Sequence, residues 1–139
     1  MLESDYPYVA HNQTCTYNPD LGKVTVTAVN LVPGQSVDQL KAAIAQGPTS
    51  VTVDASQPIF GQYKNGVINS PACGTDLDHA ITAVGYGVTS SGNTEYYIVR
   101  NSWGEGWGNK GYVNIAANLA SAESNTSLPG QTQTELLNA

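Results

Sequence analysis

The fold is decided by two neighbouring stretches, LDHAITAVGYG at residues 77–87 and YYIVRNSWGEGWG at residues 96–108. Apolar, strand-forming runs occupy residues 80–88 and 95–100, and the short Ser-Ser-Gly-Asn segment between them predicts an antiparallel hairpin. In an antiparallel pair the start of the first strand lies beside the end of the second. We therefore expect His79 and Asn101 to be neighbours at one end of this hairpin.

A histidine beside an asparagine can do proton-transfer chemistry. The asparagine oxygen can accept a hydrogen bond from one imidazole N–H, which fixes the ring and leaves the other nitrogen to exchange a proton with a nucleophile. Trp103 can shield that hydrogen bond from water. Taken alone, His79 could be structural and Asn101 could be a turn residue. Their joint occurrence at one end of a predicted hairpin favours the chemical interpretation.

One helix is predicted elsewhere in the chain, over residues 36–46. Ser36 is a good N-cap with Gln39 at the capping-box spacing, and Gly47-Pro48 ends the helix. Strand patterns are found at 23–32, 50–53 and 111–115, whereas 121–139 is typical of a loop or disordered tail. One helix followed by mostly antiparallel strands predicts an α+β fold.

Composition excludes several classes of function. The chain has 139 residues, a formal net charge of −6 and five basic residues, so it has no electrostatic footprint for nucleic acid or an anionic membrane. No apolar stretch approaches the roughly 20 residues that span a bilayer.

The first residues do not resemble a signal peptide, which predicts either a cytosolic chain or a signal located upstream. The sequons at Asn12 and Asn125 favour a secretory route only weakly.

The motif D-H-A-x-x-A-V-G-Y-G followed by Y-Y-I-V-R-N-S-W-G-x-x-W-G-x-x-G-Y-V resembles the His and Asn signatures of papain-like cysteine peptidases of the cathepsin L group. GPTSV at 47–51 and YKNGVI at 63–68 are similar to two further family motifs. The resemblance covers residues 1–117 and corresponds to the family's C-terminal, right-hand domain. It implies one main helix packed on a mostly antiparallel, barrel-like sheet, with 118–139 as a divergent, flexible tail.

The resemblance also implies roles for site residues. His79 matches the general base, which forms a thiolate–imidazolium pair with a catalytic cysteine, and Asn101 matches the residue that orients the imidazole. Trp103 matches the aromatic residue covering that contact, and Trp107 matches one on the leaving-group side of the cleft. Asp78 matches a residue that affects pH behaviour.

Three further positions match the family's pocket for the second residue N-terminal to the cut, namely Thr52, Leu77 and Ala80. They suit an apolar side chain, although Thr52 adds a hydroxyl. The resemblance further implies a peptide or protein substrate, cystatin-like inhibitors and a lysosomal, endosomal or secreted location. It implies no cofactor, no metal, no nucleic acid and no membrane partner.

The catalytic cysteine is missing from these residues. Neither Cys15 nor Cys73 lies in a C-G-[SA]-C-[WY] signature, and the glutamine of the oxyanion hole belongs to the same N-terminal half. In the family, partners for both cysteines lie in segments not matched here, so both thiols are free or pair with each other. We expect this chain to contribute His79 and Asn101 to a cysteine endopeptidase but to be inactive alone, with an exposed apolar surface where the other half would pack.

Two alternatives remain open. The chain could be a non-catalytic pseudo-peptidase module that binds peptides or inhibitor-like partners along the cleft wall. It could also bind a metal through His11, Cys15, Cys73 and His79, although no pair of them has the spacing of a zinc site.

Overall fold

The computed structural model describes residues 1–34, 36–90, 94–118 and 134–136. Within these residues there are two α-helices, α1 (Val37–Gln46) and α2 (Pro58–Gly61). The strands are β1 (Asn30–Val32), β2 (Thr49–Val53), β3 (His79–Val88), β4 (Glu95–Arg100), β5 (Tyr112–Ala116) and β6 (Thr134–Leu136). Short 3-10 turns occur at Pro19–Leu21 and Pro71–Cys73.

Four strands form one antiparallel sheet in the order β2-β3-β4-β5, and β1 pairs with β6 in a separate two-stranded sheet. The α+β prediction is confirmed. The barrel-like closure is not observed, because β2 and β5 are the edges of the described sheet. A closed barrel needs each strand paired on both sides, and β5 gains only an isolated bridge between Ile68 and Ile115.

Helix α1 forms where its cap and apolar face predict it. The Gln39 N–H donates to Ser36 Oγ at 3.3 Å, and Ile44 is buried against the sheet. Tyr97 on β4 donates its hydroxyl to Val37 O at 3.4 Å. Burial, aided by the Glu95 carboxylate, raises the pKa of Tyr97 to about 12, so the phenol stays neutral and keeps its proton for this bond.

The core lies on one face of the sheet. Alternate residues of three strands point into it, as the two-residue period of a strand requires; they are Ile81 and Ala83, Tyr97 and Val99, and Val113 and Ile115. Phe60 on α2 is fully buried beneath them. Pro58 occupies the first turn of α2, where proline is favoured.

The N-terminal region and the tail differ from their predictions. Residues 23–29 are not assigned to a strand, and only Asn30–Val32 pairs. The alternation of Val24 and Val26 gives one apolar face, but a strand also needs a partner, and both side chains are exposed. The tail, predicted as loop or disorder, forms a strand at Thr134–Leu136 through main-chain pairing, which requires no apolar pattern. Residues 119–133 and 137–139, and 91–93 of the hairpin loop, lie outside the described residues.

Candidate active site

The β3–β4 hairpin brings His79 and Asn101 together. His79 is the first residue of β3 and Asn101 directly follows β4, and the two strands pair antiparallel. His79 Nε2 lies 2.9 Å from Asn101 Oδ1. The hairpin geometry predicted this neighbourhood, and the hydrogen bond is its consequence.

A backbone donor fixes the orientation of the Asn101 amide. The Ser102 N–H donates to Oδ1 at 2.7 Å, so the atom facing it must be an oxygen. The same oxygen faces His79, so Nε2 must be the donor in that bond. Neutral His79 therefore carries its proton on Nε2, which leaves Nδ1 as the basic nitrogen. Asn101 is only 7% exposed, and its Nδ2 is buried without a partner in the described part of the chain.

Trp103 lies against one face of the imidazole. The two rings are stacked, with centroids 5.2 Å apart and planes inclined by 26°. Trp103 remains 44% exposed, so its outer surface faces solvent while its inner surface covers the His79 ring. Shielding of this kind strengthens a nearby hydrogen bond by excluding competing water.

Phe60 connects the site to the core. Its ring lies 5.6 Å from Trp103, 5.0 Å from Trp107 and 6.4 Å from His79. Trp107 is fixed in turn, because its indole N–H donates to Gly61 O at 3.0 Å. Sequence reasoning missed Phe60. Phe60 is the single phenylalanine of the chain and follows Pro58 by two residues. These two features were the signal in the sequence that could have pointed to it.

Asp78 binds the backbone of the turn after β2. Its Oδ1 accepts the Ala55 N–H at 2.8 Å, and its own N–H donates to Val53 O at 3.1 Å. The Asp78 carboxylate thus holds the chain immediately before His79.

The three expected pocket residues lie on exposed surface near His79. Thr52 and Ala80 are register partners across β2 and β3, so their side chains are neighbours on one face. Leu77, two residues before His79, is 60% exposed. All three side chains are exposed, as is that of Trp103, which is 44% exposed.

The alternative metal site gains no support. Among residues 1–34, 36–90 and 94–118, no three His, Cys, Asp or Glu side chains are grouped to hold an ion. Cys15 is exposed, Cys73 is buried, and no disulfide joins them.

The described residues also contain no helix that is both long and apolar enough to cross a bilayer.

Comparison with known proteins identifies the family. A family model described as papain family cysteine protease matches residues 1–129. The chain belongs to the papain family of cysteine proteases.

Relatives from plants and animals are similar over most of this papain-family chain. Fruit bromelain from Ananas comosus is 42% identical over 120 residues, which are 86% of this chain and 33% of bromelain. Papaya proteinase 4 from Carica papaya is 44% identical over 115 residues, covering 82% of this chain and 32% of the relative. Cathepsin L2 from Homo sapiens is 42% identical over 118 residues, which are 82% of this chain and 35% of cathepsin L2. The chain therefore spans about a third of these relatives.

Solved papain-family structures share the fold. The bromelain protease from Ananas comosus, in complex with the E64 inhibitor, superimposes with a TM-score of 0.78 at 37% identity, over 96% of this chain and 60% of that one. Digestive procathepsin L2 from the larval midgut of Tenebrio molitor gives a TM-score of 0.74 at 37% identity, over 82% of this chain and 36% of procathepsin L2.

Removing the Asn101 side chain should allow His79 to populate its other tautomer. Asn101→Ala leaves the His79 Nε2–H and the Ser102 N–H without their acceptor, so the Nδ1–H tautomer should become measurable in imidazole ¹⁵N shifts. The free energy of unfolding should fall by about 1–3 kcal/mol, the cost of leaving two partly buried donors unpaired. Asn69→Ala is the matched control, since Asn69 is exposed. An unchanged tautomer in folded Asn101→Ala would contradict the assignment.

Proposed function

We propose that this chain supplies the general base and the orienting asparagine of a cysteine-type endopeptidase. The catalytic cysteine and the oxyanion-hole glutamine come from an N-terminal half outside these 139 residues. The observation that carries the proposal is the hydrogen bond between His79 Nε2 and Asn101 Oδ1, which leaves His79 Nδ1 as a basic nitrogen.

The proton movements follow from this geometry. The thiol of the supplied cysteine gives its proton to His79 Nδ1, which forms a thiolate–imidazolium pair. Asn101 Oδ1 accepts the Nε2–H bond in both charge states, so the ring keeps its orientation. The thiolate attacks the peptide carbonyl, and the imidazolium returns its proton from Nδ1 to the leaving amine. Water, activated by the same nitrogen, then hydrolyses the acyl-enzyme.

The surrounding side chains take supporting roles in the proposal. Trp103 keeps water from the His79–Asn101 bond, Trp107 flanks the leaving-group side, and Asp78 tunes pH behaviour through the backbone that it holds. Thr52, Leu77 and Ala80 form one wall of the pocket for an apolar residue, the second one N-terminal to the cut. Cystatin-like inhibitors would occupy the same cleft, and the location would be lysosomal, endosomal or secreted.

Reconstitution tests the proposal. A fluorogenic peptide is incubated with this chain, with a cysteine-bearing half from a papain-family relative, and with both, at mildly acidic pH under reducing conditions. Hydrolysis is expected only when both parts are present, and it should disappear when the supplied cysteine is replaced by alanine. A reconstituted pair that forms a complex yet cleaves no peptide would refute the proposal.

A second candidate function is a non-catalytic peptide-binding module. It is favoured by the exposure of Leu77 and Trp103 together with the lack of a signature cysteine in these residues. Titration of the chain alone with an extended apolar peptide, followed by tryptophan fluorescence, separates the two functions. Saturable binding without the other half supports the module, and an unchanged signal argues against it.

A further inference from the structure

A buried carboxylate lies close to the site but outside the machinery described above. Asp54 directly follows β2 and is only 3% exposed. No Lys, Arg or His side chain of the described residues forms an ion pair with it. Burying a carboxylate is costly unless hydrogen bonds replace its hydration. Its position therefore calls for a structural reason.

Four hydrogen bonds stabilise the ionised form of Asp54. Oδ1 accepts from the Ser56 hydroxyl at 2.6 Å and from the Ser56 N–H at 3.1 Å, and Oδ2 accepts from Gln57 Nε2 at 3.0 Å and from the Asp76 N–H at 3.2 Å. The Ser56 hydroxyl is the largest cause that holds the pKa of Asp54 below its usual range, and burial opposes it. Asp54 is therefore an anion that accepts hydrogen bonds at both oxygens.

The bond from Asp76 crosses to the segment that leads into His79. The β2–β3 ladder ends at the pair Val53↔His79. Three hydrogen bonds continue it beyond that pair: Asp78 N–H to Val53 O (3.1 Å), Ala55 N–H to Asp78 Oδ1 (2.8 Å), and Asp76 N–H to Asp54 Oδ2 (3.2 Å). Two carboxylates thus extend the strand pairing past the point where β3 begins.

Gly74 shows how closely this segment approaches the carboxylate. A Cβ at position 74 would overlap Asp54 Oδ2, and the φ of Gly74 is +79°, which side-chain-bearing residues rarely adopt. The start of the 74–78 segment therefore packs directly on Asp54, and its end at Asp78 is fixed by Ala55.

We propose that Asp54 is a positioning residue that holds the 74–78 segment and thereby sets the His79 imidazole against Asn101. It does not touch His79; it acts through the backbone of Asp76 and the residues that follow. The catalytic meaning of this position rests on the proposed function, in which His79 is the general base. The positioning itself is measured on His79 in this chain alone.

The test compares two charge-neutralising substitutions. Asp54→Asn is isosteric but turns an NH₂ group towards donors, whereas Asp76→Asn removes the same charge from an exposed side chain and keeps its backbone N–H. In the ¹⁵N-labelled full chain, Asp54→Asn should raise the ratio of Nδ1–H to Nε2–H tautomer at His79 by about two- to tenfold, the factor that corresponds to losing one hydrogen bond. Asp76→Asn should keep the wild-type ratio.

Two outcomes would overturn the proposal. A folded Asp54→Asn chain with the wild-type tautomer ratio shows that His79 is positioned without Asp54. An equal change in both variants shows that only charge matters. The His79 tautomer ratios are measured without a supplied cysteine. A reconstitution that shows no peptidase activity would therefore refute only the proposed function and leave these ratios valid.

A milder pair keeps the test decisive if Asp54→Asn does not fold. Ser56→Ala removes the 2.6 Å hydroxyl bond, and Ser56→Thr retains a hydroxyl. Ser56→Ala should change the tautomer ratio in the same direction by a smaller factor, and Ser56→Thr should restore the wild-type value. A wild-type ratio in folded Ser56→Ala, with the bond to Asp54 lost, would count against the proposal.

Discussion

Replacing His79 by alanine is expected to lower kcat/KM of the reconstituted peptidase by about 10²–10⁴-fold, the range that general acid–base catalysis contributes. The variant removes Nδ1, the nitrogen that accepts the cysteine proton and returns it to the leaving amine. Initial rates of fluorogenic peptide cleavage, measured with saturating cysteine-bearing half, give the ratio directly.

The chain contains its own control for this prediction. His11 is the other of the two histidines, is exposed, and its Nδ1 lies 2.8 Å from the carbonyl oxygen of Val9. His11→Ala should leave kcat/KM unchanged. Equal losses in the two variants would indicate a general effect of histidine removal, and wild-type activity in folded His79→Ala would exclude His79 as the base.

The parts of the fold that were predictable are those with local signals. Helix α1 has its cap at Ser36 and its stop at Gly47 within eleven residues of one another, and β4 has the predicted bounds Glu95–Arg100. The His79–Asn101 contact followed because a short hairpin constrains both strand ends. In each case the relevant information lies within about 25 residues of sequence, so periodicity and turn chemistry were sufficient.

The parts that were not predictable depend on contacts between distant segments. Residues 23–29 have a strand pattern without a described partner, whereas β6 pairs without a pattern. Phe60 and Asp54 lie in segments rich in turn residues, and their burial comes from packing against residues more than twenty positions away. A sequence pattern describes a segment's own preference, but it does not show which other segment will cover it.

Phe60→Ala should destabilise the chain more than any other substitution considered above. Phe60 is 0% exposed, so the change leaves a cavity, and Phe→Ala at such positions costs about 3–5 kcal/mol of unfolding free energy. The cavity would lie directly beneath Trp103 and Trp107, whose rings are 5.6 Å and 5.0 Å from the Phe60 ring. Urea unfolding followed by tryptophan fluorescence measures the loss and reports on the rings beside the cavity.

Two companion variants separate the contributions. Phe60→Leu keeps most of the apolar volume but loses the aromatic contacts, which add about 0.5–1.5 kcal/mol per pair beyond burial. It should therefore fall between the wild type and Phe60→Ala. Tyr8→Ala removes an aromatic ring that is 85% exposed and should change stability by no more than about 0.5 kcal/mol. If Phe60→Ala lowered the free energy of unfolding as little as Tyr8→Ala, the packing of Trp103 and Trp107 beside His79 would not depend on Phe60.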